Sequence, residues 1–183
     1  MKNILIVMDM QNGIINSDEK MAMSEKVISL VQKHIFDRVV CVKFVNRDDG
    51  VFPKYHRYYD MHKGKEIELV DELTADLVFN RSVYSCVSED FISKVMKIND
   101  NDNLVEVFLC GIGTDTAILK SALDFFELDI KPLVLADYCI PYDGSAITHM
   151  KGIKFIEKMI GEKCIVHKKI ETLEDLQGIA CIK

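Results

Sequence analysis

The chain has 183 residues, 49% hydrophobic and 28% charged, which suits a folded globular protein with a sizeable core and excludes a disordered or fibrous one. Its 23 lysines and arginines against 29 aspartates and glutamates leave a net charge of −6 with no clustered basic stripe, so nucleic acids and anionic membrane surfaces are poor partners. No apolar run reaches the length of a bilayer span.

The opening segment MKNILIVMDMQ carries one lysine, meets Asp9 at once and has no small-residue cleavage site. It reads as a buried first strand rather than a signal peptide. Ile4 to Met8 is a continuous apolar run, the pattern of a central parallel strand, with Asp9 at its C-terminal tip. Ser24 is the expected cap of a helix whose Val27, Leu30, Val31 and Ile35 share one face. Arg38 to Val45 reads as a second strand. Residues 46–68 are polar and aromatic without a clear period; a loop that long inside a compact domain is usually functional, covering a site or pairing with another subunit.

Leu73 to Arg81 reads as a third, edge-like strand, and Ser88 as the cap of a helix running through Met96. Leu104 to Cys110 is a fourth, buried strand, broken by Gly111 and Gly113. Thr114, Asp115 and Thr116 then supply N-cap chemistry for a helix with Ile118, Leu119, Ala122, Leu123, Phe125 and Phe126 at helical spacing. Pro132 to Asp137 is a fifth strand ending in a carboxylate. Ser145 to Ile160 is a helix closed by Gly161, Lys163 to His167 a sixth strand, and Thr172 to Leu176 a short helix.

Strands alternating with helices predict an α/β domain: a parallel sheet, helices on both faces, right-handed crossovers. No repeat, linker or low-complexity tract divides it, so one domain over residues 1–183 is expected. Ligands in such sheets sit at the carboxyl edge, where the strand, glycine turn and helix at 104–127 gather backbone N–H groups at a helix N-terminus. No G-x-G-x-x-G follows the first strand, so a dinucleotide is not supported and no cofactor is expected. The six cysteines, at 41, 86, 110, 139, 164 and 181, lack C-x-x-C spacing and read as reduced, mostly buried thiols of a cytoplasmic protein.

Gly111-Ile112-Gly113-Thr114-Asp115, then Ile118-Leu119 and Ser121-Ala122-Leu123-Asp124, resemble the nucleophile turn of the isochorismatase-like cysteine hydrolases, the nicotinamidase and isochorismatase relatives. In that family the segment reads roughly G-[VI]-x-T-D-x-C-V-x-x-T-A-x-D. The resemblance covers nearly the whole chain and implies a Rossmann-like three-layer sandwich with a six-stranded, mainly parallel sheet. It also implies a catalytic triad: a general-base Asp after the first strand, a Lys after the third, and a nucleophilic Cys on the turn after the fourth.

Asp9, in IVMDMQNGI, matches the first of these positions. Arg81-Ser82-Val83-Tyr84-Ser85-Cys86 resembles the family's K-x-x-Y-S-[AC], with Arg81 in place of the lysine. A guanidinium can pair bidentately with a carboxylate but cannot release a proton as a lysine can. Ala117 stands where the cysteine belongs. Ile112, Gly113 and Thr116 match the turn where relatives hold a cis peptide and aim backbone N–H groups as an oxyanion hole; the cis bond is expected between Ile112 and Gly113. Gln11, Tyr84 and Asp137 are the expected pocket residues, and Thr114 and Thr116 the expected helix caps. Cys110 reads as core, while Cys86 is a candidate to stand in for the missing nucleophile.

Nicotinamidase-like relatives use an Asp-x-His…His metal cluster. Asp60-Met61-His62 has the first part, but no second histidine follows before the third strand, and His56 lies upstream. No metal site is therefore expected; His56 and His62 read as loop or interface residues, His149 and His167 as packing residues. Three functional readings follow from the resemblance. The first is a hydrolase-family protein for small amides or related molecules, impaired or inactive because two triad positions differ, surviving as a small-molecule binding or assembly protein. The second is an active C–N amidohydrolase whose nucleophilic cysteine has been exchanged for alanine. The third is hydrolysis by an acid–base Asp and water, as in isochorismatase-type relatives that lack the cysteine but keep the lysine. Expected partners are a small-molecule ligand and, from the family's self-association and the rings of Tyr55, Tyr58 and Tyr59, a second copy of the chain.

Overall fold

The computed structural model describes residues 2–180. Its strands are β1 (Ile4–Met8), β2 (Arg38–Phe44), β3 (Leu77–Arg81), β4 (Glu106–Ile112), β5 (Lys131–Ile140) and β6 (Ile165–Val166). They form one sheet in the order β3-β2-β1-β4-β5-β6, and every neighbouring pair is parallel. The flanking helices are α1 (Asp18–Gln32), α2 (Glu89–Ile98), α3 (Leu119–Glu127), α4 (Ala146–Ile160) and α5 (Leu173–Ala180). β1 and β4 are buried at every residue, because helices cover both faces of a parallel sheet and leave no wet side. The strand order reverses between β1 and β4, which makes their carboxyl ends the switch point where such sheets hold ligands. None of the described helices is long and apolar enough to cross a membrane.

Several boundaries move from the expected ones, each for a local reason. α1 starts at Asp18 because the Ser17 side chain accepts from Lys20 N at 3.4 Å; Ser24 lies buried within the helix and caps nothing. Ser88 and Ser145 do cap α2 and α4, accepting from Phe91 N and Thr148 N. β3 begins only at Leu77, since Asp76 turns its carboxylate back to accept from Val39 N at 2.7 Å. β4 continues through Gly111 to Ile112, and the helix after it opens with a π-helical turn, Thr114–Ile118, that has no side-chain cap. Thr114 and Thr116 spend their hydroxyls elsewhere.

β5 departs most. Its register against β4 slips between the pairs Leu109–Val134 and Gly111–Cys139, so β5 accommodates extra residues there and ends at Ile140 rather than Asp137. Gly111 explains how β4 comes so close to β1. At φ +112°, a Cβ on this residue would lie 2.2 Å from Met8 O, a space only glycine leaves free. The five described cysteines, at 41, 86, 110, 139 and 164, are free and buried; Cys181 lies outside the described residues.

Candidate active site

Asp9 follows β1 directly, its backbone in the left-handed region (φ +57°) and its N–H donating to Val42 O at 2.9 Å. Its side chain is fully buried. Arg81, the last residue of β3, reaches past β2 to meet it. Nη2 donates to Asp9 Oδ2 and Nη1 to Val83 O, while the guanidinium lies 5.4 Å from the ring centre of Phe44, the last residue of β2. Tyr142, two residues beyond β5, completes the group. Its hydroxyl donates to the same Asp9 Oδ2 and accepts from Arg81 Nη2 at 3.4 Å. Its ring covers the turn after β4, since a Cβ on Gly113 would fall 2.6 Å from two of its carbons.

Burial pushes the Asp9 carboxyl above the usual range, and the Arg81 guanidinium and Tyr142 hydroxyl pull it only part of the way back. Burial alone would lower Arg81, but the Asp9 carboxylate and Tyr142 outweigh it and hold the guanidinium charged. Burial and the Asp9 charge push the Tyr142 phenol well up, so it stays a donor. Asp9 Oδ1 and Arg81 Nε are buried without a hydrogen-bond partner.

The Ile112–Gly113 bond is cis. Gly113 O accepts from Thr116 N at 3.1 Å, from Ile118 N at 3.0 Å and from Thr116 Oγ1 at 3.4 Å, which closes the turn on itself. Thr114 Oγ1 pairs with His149 Nδ1 at 3.0 Å. Ala117 is wholly buried in this turn, and Thr116 is its member that lines a cavity of about 440 Å³. Arg81, Tyr84 and Tyr142 share that cavity with Phe44, and the 46–68 loop contributes Phe52, His56 and Tyr58. The rings interlock edge to face, Phe52 at 4.8 Å from Phe44 and 5.0 Å from Tyr84. The segment after β1 supplies Gly13, Ile14, Asn16 and Lys20.

Asp9, Arg81 and Tyr142 therefore meet around one oxygen, and the turn with Ala117 follows the neighbouring strand. Tyr84 lines the cavity as expected. Gln11 does not. It is fully buried, donates to Phe44 O and Ile67 O at 2.9 Å each and accepts from Phe44 N at 2.7 Å, and so fastens the loop to the sheet. Asp137 is also outside the cavity: β5 runs past it, its side chain is exposed, and its carbonyl accepts from Lys26 Nζ. Cys86 is no substitute nucleophile in this arrangement, because burial pushes its thiol up to about 12 and it does not line the cavity. Cys110 is core, its thiol pushed well up by burial. Tyr142 and Lys20 had no motif to mark them.

The Asp60-Met61-His62 sequence does not gather a donor set. His62 Nε2 pairs with Asp48 at 3.0 Å, and among the described residues no group of three or more His, Cys, Asp or Glu side chains is placed to hold a metal ion.

Residues 3–165 match the isochorismatase domain family. Among solved structures, an isochorismatase-like hydrolase from Alkaliphilus metalliredigens superposes with a TM-score of 0.76 at 13% identity, over 97% of this chain and 98% of that one. N-carbamoylsarcosine amidase from Thermoplasma acidophilum gives 0.70 at 21% identity, over 88% and 94%. A nicotinamidase from Bacillus subtilis gives 0.72 at 17%, over 88% and 97%. At these identities the structures speak for the fold alone, and no curated protein matches the sequence. The family match runs through the first five strands and reaches the sixth, and on that ground the chain belongs to the isochorismatase domain family.

Proposed function

We propose that this chain is a non-hydrolytic member of its family, a small-molecule binder whose catalytic apparatus has lapsed. The carrying observation is that Asp9 Oδ2 is held at once by Arg81 and by the Tyr142 hydroxyl. A general base must present a free lone pair to the proton it takes, in a geometry that the reacting group can reach. Here a permanently charged guanidinium and a phenol occupy that oxygen, the partnerless Oδ1 is buried on a residue that does not line the cavity, and the phenol's ring lies over Gly113.

Amide hydrolysis through an acyl-enzyme needs a nucleophile, and Ala117 offers a methyl group. Thr116 has a hydroxyl in the cavity, but it donates to Gly113 O and has no base beside it. Arg81 cannot return a proton to a leaving group near neutral pH. What remains is a cradle: the turn after β4, the ring-lined cavity and a fixed charge pair beneath it. The solved structures that share this fold include a nicotinamidase and an amidase, which supports a small organic molecule as the occupant.

Purified protein and its Asp9→Asn variant, offered a panel of primary amides, ureas and isochorismate, test the reading. No product release is expected from either, while at least one compound raises the melting temperature of the unaltered protein. Turnover that disappears in Asp9→Asn overturns it.

A further inference from the structure

We infer that the chain pairs with a second copy of itself through one helix layer, α4 of each protomer seating in the groove between α2 and α3 of its partner. The inference is independent of the non-hydrolytic reading above. The crossovers from β3 to β4, β4 to β5 and β5 to β6 all step the same way along the sheet, so right-handed connections set α2, α3 and α4 on one face of it. α3 packs against α4, and a groove of about 710 Å³ lies between α3 and α2.

α4 turns Gly152, Ile153, Ile156 and Ile160 inward. Outside, it carries Ile147, Met150, Phe155 and Met159, each more than half exposed. Single exposed apolar residues are ordinary, but four on one helix mark a surface that something else covers. Lys151, Lys154 and Lys158 recur among them at helical spacing, all exposed, and none forms an ion pair among the described residues. Glu157 is the helix's one acidic residue.

The groove is the complement of this face. Ile92, Met96 and Leu128 give it an apolar lining, and among its charged residues Glu89, Asp124 and Glu127 outnumber Lys97. Asp124 is paired with Lys120, whereas Glu89 and Glu127 have no ion-pair partner among the described residues. An apolar helix with excess positive charge and an apolar groove with excess negative charge therefore share one layer. A two-fold axis running along that layer beside α3 carries each α4 onto the partner's groove, so the contact is made twice and closes. Phe155 and Met159, one turn apart, are the anchors, and the lysines meet the carboxylates around them. An anionic membrane would attract the lysines but would also meet the carboxylates of the same layer, whereas a second copy satisfies both.

Sedimentation velocity tests the pairing, with a dimer of Kd about 10 μM or tighter expected. Lys154→Glu with Lys158→Glu, and separately Glu89→Lys with Glu127→Lys, should each weaken it at least about tenfold. Mixed in equal amounts, the two variants should return to within about threefold of the unaltered affinity, because every like-charge contact becomes an opposite one. Phe155→Ser should weaken the dimer about tenfold without any change of charge, while Tyr55→Ser with Tyr59→Ser leaves it unchanged. Melting curves verify that each variant folds. A monomer at every concentration, a dimer indifferent to both charge variants, a mixture that stays monomeric, or loss of the dimer only in the tyrosine variant would each overturn the inference. Assemblies that keep growing past the dimer, or a monomer that pellets with phosphatidylserine vesicles through its lysines, would overturn it as well.

Discussion

The Tyr142 hydroxyl donates to Asp9 Oδ2, the oxygen that Arg81 Nη2 also holds. Three separate pieces of chain meet there, the tip of β1, the end of β3 and the loop after β5. They join at the point where the strand order reverses. The buried pair is a constraint on stability as much as on chemistry.

Removing one partner from a buried pair leaves the other charged and unsolvated. Arg81→Met is therefore expected to cost about 3–5 kcal/mol in urea unfolding at neutral pH, and the double variant with Asp9→Asn less than the sum of the two singles. The loss in Arg81→Met has a pH sign. Asp9, already pushed up by burial, binds a proton more tightly folded than unfolded, so the variant regains stability as pH falls through the folded pKa and loses it as pH rises.

Gly111→Ala forces a methyl against the β1 backbone, 2.2 Å from Met8 O, and also demands a positive φ. Neither obstacle can move without shifting the two central strands. A loss of about 3 kcal/mol or more in the urea midpoint is expected, with an m-value unchanged if the fold persists.

Burial pushes the thiols of Cys41 and Cys86 up to about 12 and raises those of Cys110 and Cys139 well above the ordinary thiol value. In a Cys181→Ser protein, an aromatic disulfide reagent at about pH 8 should label less than about one thiol in ten until denaturant is added. Rapid labelling of Cys86 in the folded state would show that the wall behind the cavity opens.

His149 holds Thr114 of the turn at 3.0 Å, and burial lowers its pKa, with Asp137 pulling it up and His167 pushing it down. The folded state therefore binds the proton less readily than the unfolded one. Stability from this site is full above the ordinary histidine pKa of about 6.5 and falls as pH drops below it. His149→Gln should flatten that part of the melting temperature against pH, compared over the range around pH 5 to 8 with the unaltered chain.

The central sheet is legible because β1 and β4 are wet on neither face, and near-continuous apolar runs follow, interrupted only at the start of β4 by Glu106, which pairs with Lys131. The cis bond at Ile112–Gly113 and the convergence of Asp9 and Arg81 were legible through the family resemblance. The end of β5 was not. Asp137 looks like a strand terminator, yet it is one exposed position inside a strand whose register slips, and β5 runs on to Ile140 before the chain brings Tyr142 to Asp9. Ser17, not Ser24, caps α1, and the acidic pair Asp18-Glu19 that follows it is the sequence mark of that first helical turn. Lys20 carries no signal at all, since lysines in first turns are ordinarily solvated.

The ultraviolet thiolate absorbance of an Ala117→Cys variant, followed against pH, tests the lapsed site most directly, and the high pKa values of the other buried thiols keep the background low. With Asp9 Oδ2 committed to Arg81 and Tyr142, the introduced thiol is expected to ionise only at or above the ordinary value of about 8.5. A thiolate already formed at about pH 7, and lost when Asp9→Asn is added, would contradict the account.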